Sequence, residues 1–228
     1  MDEDPPAGGR RWVQVVALAL AGVLALVVAG VVGNATAGAH APSDSSVAAG
    51  FARDMTDHHA QAVAMATIIG QRTRSPQIRT LATDIALTQT NQMGQMQGWL
   101  NQWGLALGRT GPPMQWMTQQ RMDMAHASGT KLPAMDPALM RLQPDGRMPG
   151  LAAAAQVNQL STLPPDRADV LFLQLMIAHH RAGVAMARMA QALTGVGVVD
   201  RLAATMVTGQ QNEITQMTQL LTERGATP

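Results

Sequence analysis

Hydrophobic positions along the chain fall into two regimes. From Trp12 to Val32 the residues are apolar with only Gln14 interrupting, and about twenty such residues at 1.5 Å each span the roughly 30 Å core of a bilayer. That stretch predicts a membrane helix. After about Ser46 the apolar residues recur at helical spacing. This predicts four long amphipathic helices, over about Ser46–Arg72, Ser75–Trp103, Asp166–Leu193 and Val199–Glu223. Ser75 followed by Pro76 is a cap and first-turn pair, and Gly195 and Gly197 stop the third helix. Between Gly104 and Pro149 six prolines break the pattern. Only Met114–Ser128 reads as helical there, with a short helix over Ala152–Leu160. The expected fold is all-α, a four-helix bundle of two helical hairpins joined by one extended connection and preceded by the membrane helix. The parts are a stub and anchor (1–33), a tether (34–45) and the helical domain (46–228). Within the domain the hairpins are 46–103 and 166–224, with the connection at 104–165.

The two hairpins are copies. Phe51–Ala66 (FARDMTDHHAQAVAMA) returns as Phe172–Ala187 (FLQLMIAHHRAGVAMA), with Phe, Met, the His pair, Val, Met and Ala in register at an offset of 121 residues. The offset continues without a gap, pairing Leu81 with Leu202, Gln89 with Gln210, Asn91 with Asn212, Met96 with Met217 and Leu100 with Leu221. Repetition through both helices predicts pseudo-twofold symmetry.

On a helix, Met55, His58, His59, Ala62, Met65 and Ala66 share one face, and Met176, His179, His180, Gly183, Met186 and Ala187 share the equivalent face. These stripes mix thioethers and imidazoles with small residues. Soft, neutral donors suit Cu(I) best and satisfy Mg²⁺, Ca²⁺ or iron poorly, with zinc as second choice. Met96 and Met217, the symmetric pair on the second helix of each hairpin, stand where they would complete a coordination sphere, as do Met93 and Met206. A single HH pair is more simply a core residue with a satisfied hydrogen bond, since neighbouring side chains diverge by about 100°. Two equivalent pairs flanked by Met favour a metal. In the connection, Met122, Met124 and His126 form a candidate secondary soft-metal patch on a helix that otherwise serves as a Met-rich lid. Asp54 and Asp57 precede His58 and are candidate orienting partners, although Leu175 and Ala178 replace them in the second copy. Solvated surface positions suit them better.

The doubled MxxHHxxxVxMA pattern, with a QxNEIxxM segment after the second copy, resembles the bacterial domain of unknown function 305 family over roughly Ser46–Arg224. The resemblance implies a ferritin-like bundle outside the cytoplasm, copper binding as in some members, and no established enzymatic activity. The chain departs from its own symmetry at Gln92, where the second copy has Glu213.

Composition narrows the chemistry. The 228 residues carry a net charge of +1 with scattered basic residues, which gives no stripe for a phosphate backbone, so nucleic acid is not an expected partner. There is no cysteine, against 17 methionines, so soft-metal chemistry must use Met and His. After the anchor only Glu213 and Glu223 are glutamates, too few for the paired Glu and ExxH ligands of a di-iron oxidase. No GxSxG elbow supports a hydrolase. An enzyme is therefore not expected, and the competing reading is a non-catalytic accessory or interaction subunit of a membrane complex with structural histidines.

Arg10 and Arg11 precede the apolar run and no basic residue follows until Arg53, which places the N-terminus in the cytoplasm and the domain outside a cell membrane crossed once. A cleaved signal peptide is the rival reading, with AxA sites around Ala37, Ala39 and Ala41. Ala17, Ala21, Ala25, Ala29 and Gly33 line one face of the membrane helix, a small-residue surface suited to a second copy or a membrane partner.

Overall fold

The computed structural model describes residues 41–228; the expected membrane helix and its small-residue face lie outside the described residues. Pro42–Pro228 form one compact unit. It is all-α, with no strand among the described residues. Its helices are α1 (Val47–Arg72), α2 (Pro76–Gln102), α3 (Gln119–Ala127), α4 (Ala154–Thr162), α5 (Pro165–Leu193) and α6 (Gly197–Thr222).

Local chemistry sets the helix ends. The Ser46 hydroxyl accepts the Ala49 N–H at 3.1 Å, and Ser75 does the same for Ile78 at 3.4 Å with Pro76 in the first turn. Each satisfies a backbone donor that the helix itself leaves unpaired. α1 with α2 and α5 with α6 form the two hairpins, which meet chiefly through α1 and α5. α5 is long and apolar enough to cross a membrane by length and composition, but most of its apolar stretch is buried inside the protein, as befits a core helix.

The core is two apolar clusters. One gathers Met65, Ile69, Ile78, Leu81, Ile85, Phe172, Met176, Met217 and Leu221; the other gathers Phe51, Met55, Met96, Leu100, Met186, Met189, Val199 and Met206. On all four long helices the residues at the boundary between clusters are polar and buried: His58 and His59, Gln89 and Gln92, His179 and His180, and Gln210, with Glu213 beside it. The 121-residue offset exchanges the clusters, since Met55 and Met176, or Phe51 and Phe172, fall in opposite ones.

The connection departs from the single helix expected over Met114–Ser128. It is a 3₁₀ turn at Gln115–Met117 followed by α3. Asp54 fastens the start of this segment. It is buried, and far from orienting His58 or lying in solvent it accepts the Met114 N–H at 2.6 Å, the Trp116 indole N–H at 2.9 Å and an Arg109 N–H at 3.1 Å. These bonds fasten Met114, at φ 65°, at the start of the 3₁₀ turn, and the extended backbone of Thr118 (φ −67°, ψ 151°) separates the turn from α3. Trp116 then packs edge-on to Phe51, with ring centroids 5.6 Å apart, over Gly50, where a Cβ would lie 2.8 Å from the Trp116 side chain. Asp57 remains half exposed and pairs with Arg109 at 2.7 Å.

Candidate metal centre

The four repeat histidines meet in the middle of the protein, fully buried. His58 and His179, symmetry equivalents on α1 and α5, stack with ring centroids 3.8 Å apart and planes tilted by 35°. His59 and His180, one residue on, turn outward towards α2 and α6. The divergence of neighbours on a helix therefore lets each pair do two things: one imidazole reaches the symmetry partner and the other reaches the second helix of its own hairpin.

Three imidazoles are held through Nε2. His179 donates to the His58 carbonyl at 2.9 Å, His59 to Gln92 Oε1 at 2.7 Å, and His180 to Glu213 Oε2 at 2.7 Å. A proton on Nε2 leaves the Nδ1 lone pair as the free acceptor. In all three residues that Nδ1 is buried with no partner, and neither ring nitrogen of His58 has one. Metal-bound histidines show this arrangement, with one nitrogen donating to a carbonyl or carboxylate and the other left for the ion.

Burial also decides charge. It pushes His58 down to about 3 and His59 down to about 4, and it drives His179 well below the ordinary range. Neighbouring imidazoles add to the depression. For His59 the Gln92 contact opposes it, and for His58 the Pro149 backbone does so weakly, without hydrogen-bond geometry. These three rings are neutral at pH 7, with lone pairs available to a metal without competition from protons.

The surroundings of the histidines differ on two sides. On one, the connection lies against α5: Gly150, at φ 74°, sits so close that a Cβ would meet the Ala182 Cβ at 2.6 Å and the Ala178 carbonyl at 2.7 Å. Gln61 pins this loop by exchanging two hydrogen bonds with the Ala152 backbone, at 2.9 and 2.7 Å. On the other side a cleft of about 500 Å³ runs between α2 and α6, lined by Gln89, Gln92, Gln210 and Glu213 among others.

Met55, Met65, Met96, Met176, Met186 and Met217 are all buried, three in each apolar cluster and so on both sides of the histidine layer. Met206 is buried too, while Met93 is only partly so. Among the described residues no three His, Cys, Asp or Glu side chains converge as a metal site. Any ion here must therefore combine one or two imidazoles with other donors such as thioethers. The secondary patch is not assembled: Met124 and His126 are exposed, Met122 packs partly against the core, and His126 turns Nδ1 to the Met122 carbonyl at 3.1 Å. Gln92 and Glu213 were missed as histidine partners by sequence reasoning. The signal was their common place 33 residues after His59 and His180.

The profile of the family described as "Domain of unknown function (DUF305)" matches residues 48–221, from the first turn of α1 to the end of α6. The chain belongs to the DUF305 family. Among solved structures, a DUF305 protein from Streptomyces coelicolor is 42% identical, covering 81% of this chain and 98% of its own, with a TM-score of 0.66. A DUF305 fragment from Deinococcus radiodurans is 33% identical, covering 76% of this chain and 93% of its own, with a TM-score of 0.55. CopM in the Cu(II)-bound form is 26% identical, covering 77% of this chain and 95% of its own, with a TM-score of 0.50. No curated protein matches the chain.

Proposed function

We propose that this DUF305 protein is a non-enzymatic, membrane-anchored extracytoplasmic metal-binding protein. It holds Cu(I) through the histidine layer and its flanking methionines for storage, buffering or delivery. The observation that carries the reading is the set of five buried ring nitrogens without partners. Each would cost about 1–3 kcal/mol if left unpaired, and a bound ion removes that cost for each lone pair it takes up. The neutral imidazoles, the buried thioethers and the missing thiols favour a soft monovalent ion over Zn²⁺. CopM, whose structure carries Cu(II), supports copper. The apolar segment after Arg10 and Arg11 supports export, and the Streptomyces relative is provisionally designated a secreted protein. Two antiparallel hairpins meeting across a polar centre suit a ferritin-like bundle whose centre has exchanged carboxylates for imidazoles.

One observation favours the accessory-subunit reading: three Nε2 atoms already have protein partners, as structural histidines would. A competition titration of the full-length chain against a Cu(I) chelator separates the two. Transfer of copper to the protein, abolished by replacing His58 and His179 with Ala, supports binding; absence of transfer overturns it.

A further inference from the structure

The two halves of the histidine layer are superficially alike and chemically unequal. His59 and His180 each direct Nε2 at the side chain 33 residues later, at 2.7 Å in both cases. In the first hairpin that acceptor is the neutral amide of Gln92, and in the second it is the carboxylate of Glu213. Among the described residues Glu213 is the one carboxylate bonded to a histidine of this layer. Asp54, a buried carboxylate near the first HH pair, is taken up by Met114, Trp116 and Arg109.

A cation placed among neutral imidazoles and thioethers has no counter-charge of its own, and an uncompensated buried charge is strongly disfavoured. A carboxylate behind an imidazole raises the basicity of the opposite nitrogen and holds the ring in one tautomer. Losing such a partner typically weakens metal affinity 10–100-fold. Glu213 is placed for both tasks: its Oε2 meets His180, while the residue is one-fifth exposed along the α2–α6 cleft, so its charge is not itself stranded in the core.

We infer that Glu213 is the positioning residue and counter-charge of the metal centre, making His180 the stronger imidazole donor and the second hairpin the dominant metal-holding half. This rests on the Cu(I)-binding reading. It adds that the pseudo-twofold site binds a soft monovalent cation asymmetrically, through the Nδ1 of His180 in preference to that of His59. The first hairpin, with an amide in the equivalent place, is the weaker half.

The test is a charge exchange in the full-length chain, with Cu(I) affinity read against a competing chelator and His180 followed by ¹⁵N NMR of its ring nitrogens. Glu213→Gln copies the native His59–Gln92 pair and so is expected to fold, which thermal melting checks. It should weaken Cu(I) 10–100-fold. Gln92→Glu should tighten it by a similar factor. The double variant, with the carboxylate moved to the first hairpin, should return near the original affinity, and the copper-induced ¹⁵N shift should move from His180 to His59. Equal affinity in Glu213→Gln overturns the inference while leaving copper binding intact. A loss that the double variant does not restore also overturns it, by making Glu213 a structural residue only. If the unaltered chain takes up no Cu(I), the functional reading falls and the counter-charge role falls with it.

Discussion

The hairpins α1–α2 and α5–α6 share one sequence pattern, yet their charged residues make different contacts. The second is the plainer core element: at the position of Asp54 it has Leu175, and the helix is buried along most of its length. The first has spent a core position on a carboxylate that fastens the connection, through Met114 and Trp116, over its own end. Near the histidines the roles reverse, with a neutral amide in the first hairpin and a carboxylate in the second. The two halves match in pattern, and single carboxylates set them apart: Asp54 in the first fastens the connection, and Glu213 in the second holds His180.

Acid should test most strongly whether the histidine layer is one element shared by both halves. The folded values of His58 and His59, about 3 and about 4, lie below the ordinary 6.5. A depressed group contributes stability that is present above 6.5 and lost as pH falls through the folded value, here across the window from 6.5 to about 3. Urea unfolding of the metal-free protein should therefore lose several kcal/mol over that window. His58→Ala should flatten the slope; an unchanged slope would mean that the layer opens to water before it titrates.

Asp54 is specific to the first hairpin. Asp54→Ala strands the Met114 and Trp116 N–H donors and should cost about 3 kcal/mol by the same measurement, with increased proteolysis of the 104–150 connection. A loss below about 1 kcal/mol would show that the connection is held by packing alone.

Gly183 separates the copies more finely. A Cβ there would lie 2.4 Å from Gln210 Oε1, whereas the first copy has Ala62 in the same place. Gly183→Ala makes the second helix resemble the first and displaces the end of Gln210; overpacking of about 1–3 kcal/mol set against a helix-propensity gain of about 1 kcal/mol leaves an expected net cost of about 1 kcal/mol. Ala62→Gly in the first hairpin should cost about 1 kcal/mol, from helix propensity alone. A gain in Gly183→Ala of about 1 kcal/mol, equal and opposite to the loss in Ala62→Gly, would mean that Gln210 moves aside freely.

Arg109 marks the smallest expected effect. It joins the exposed Asp57 to the buried Asp54, but Asp54 keeps two further donors without it. Arg109→Ala should lower stability by about 1 kcal/mol or less, far below Asp54→Ala.

Helical periodicity, the caps at Ser46 and Ser75 and the 121-residue repeat determined the all-α class and the four long helices within a residue or two at their ends. They also marked His58, His59, His179 and His180 as the chain's singular chemistry. These are local or self-similar signals, carried by the spacing of residues along one helix. Tertiary structure alone decided that His58 stacks on His179, that His59 and His180 lean on Gln92 and Glu213, that the methionines divide between two clusters, and that Asp54 serves the connection. Each of these depends on which way a side chain points once two helices have met. A 100° step between neighbouring residues sends adjacent histidines to different helices, and the shared 33-residue spacing to Gln92 and Glu213 acquires its meaning only once those helices have met.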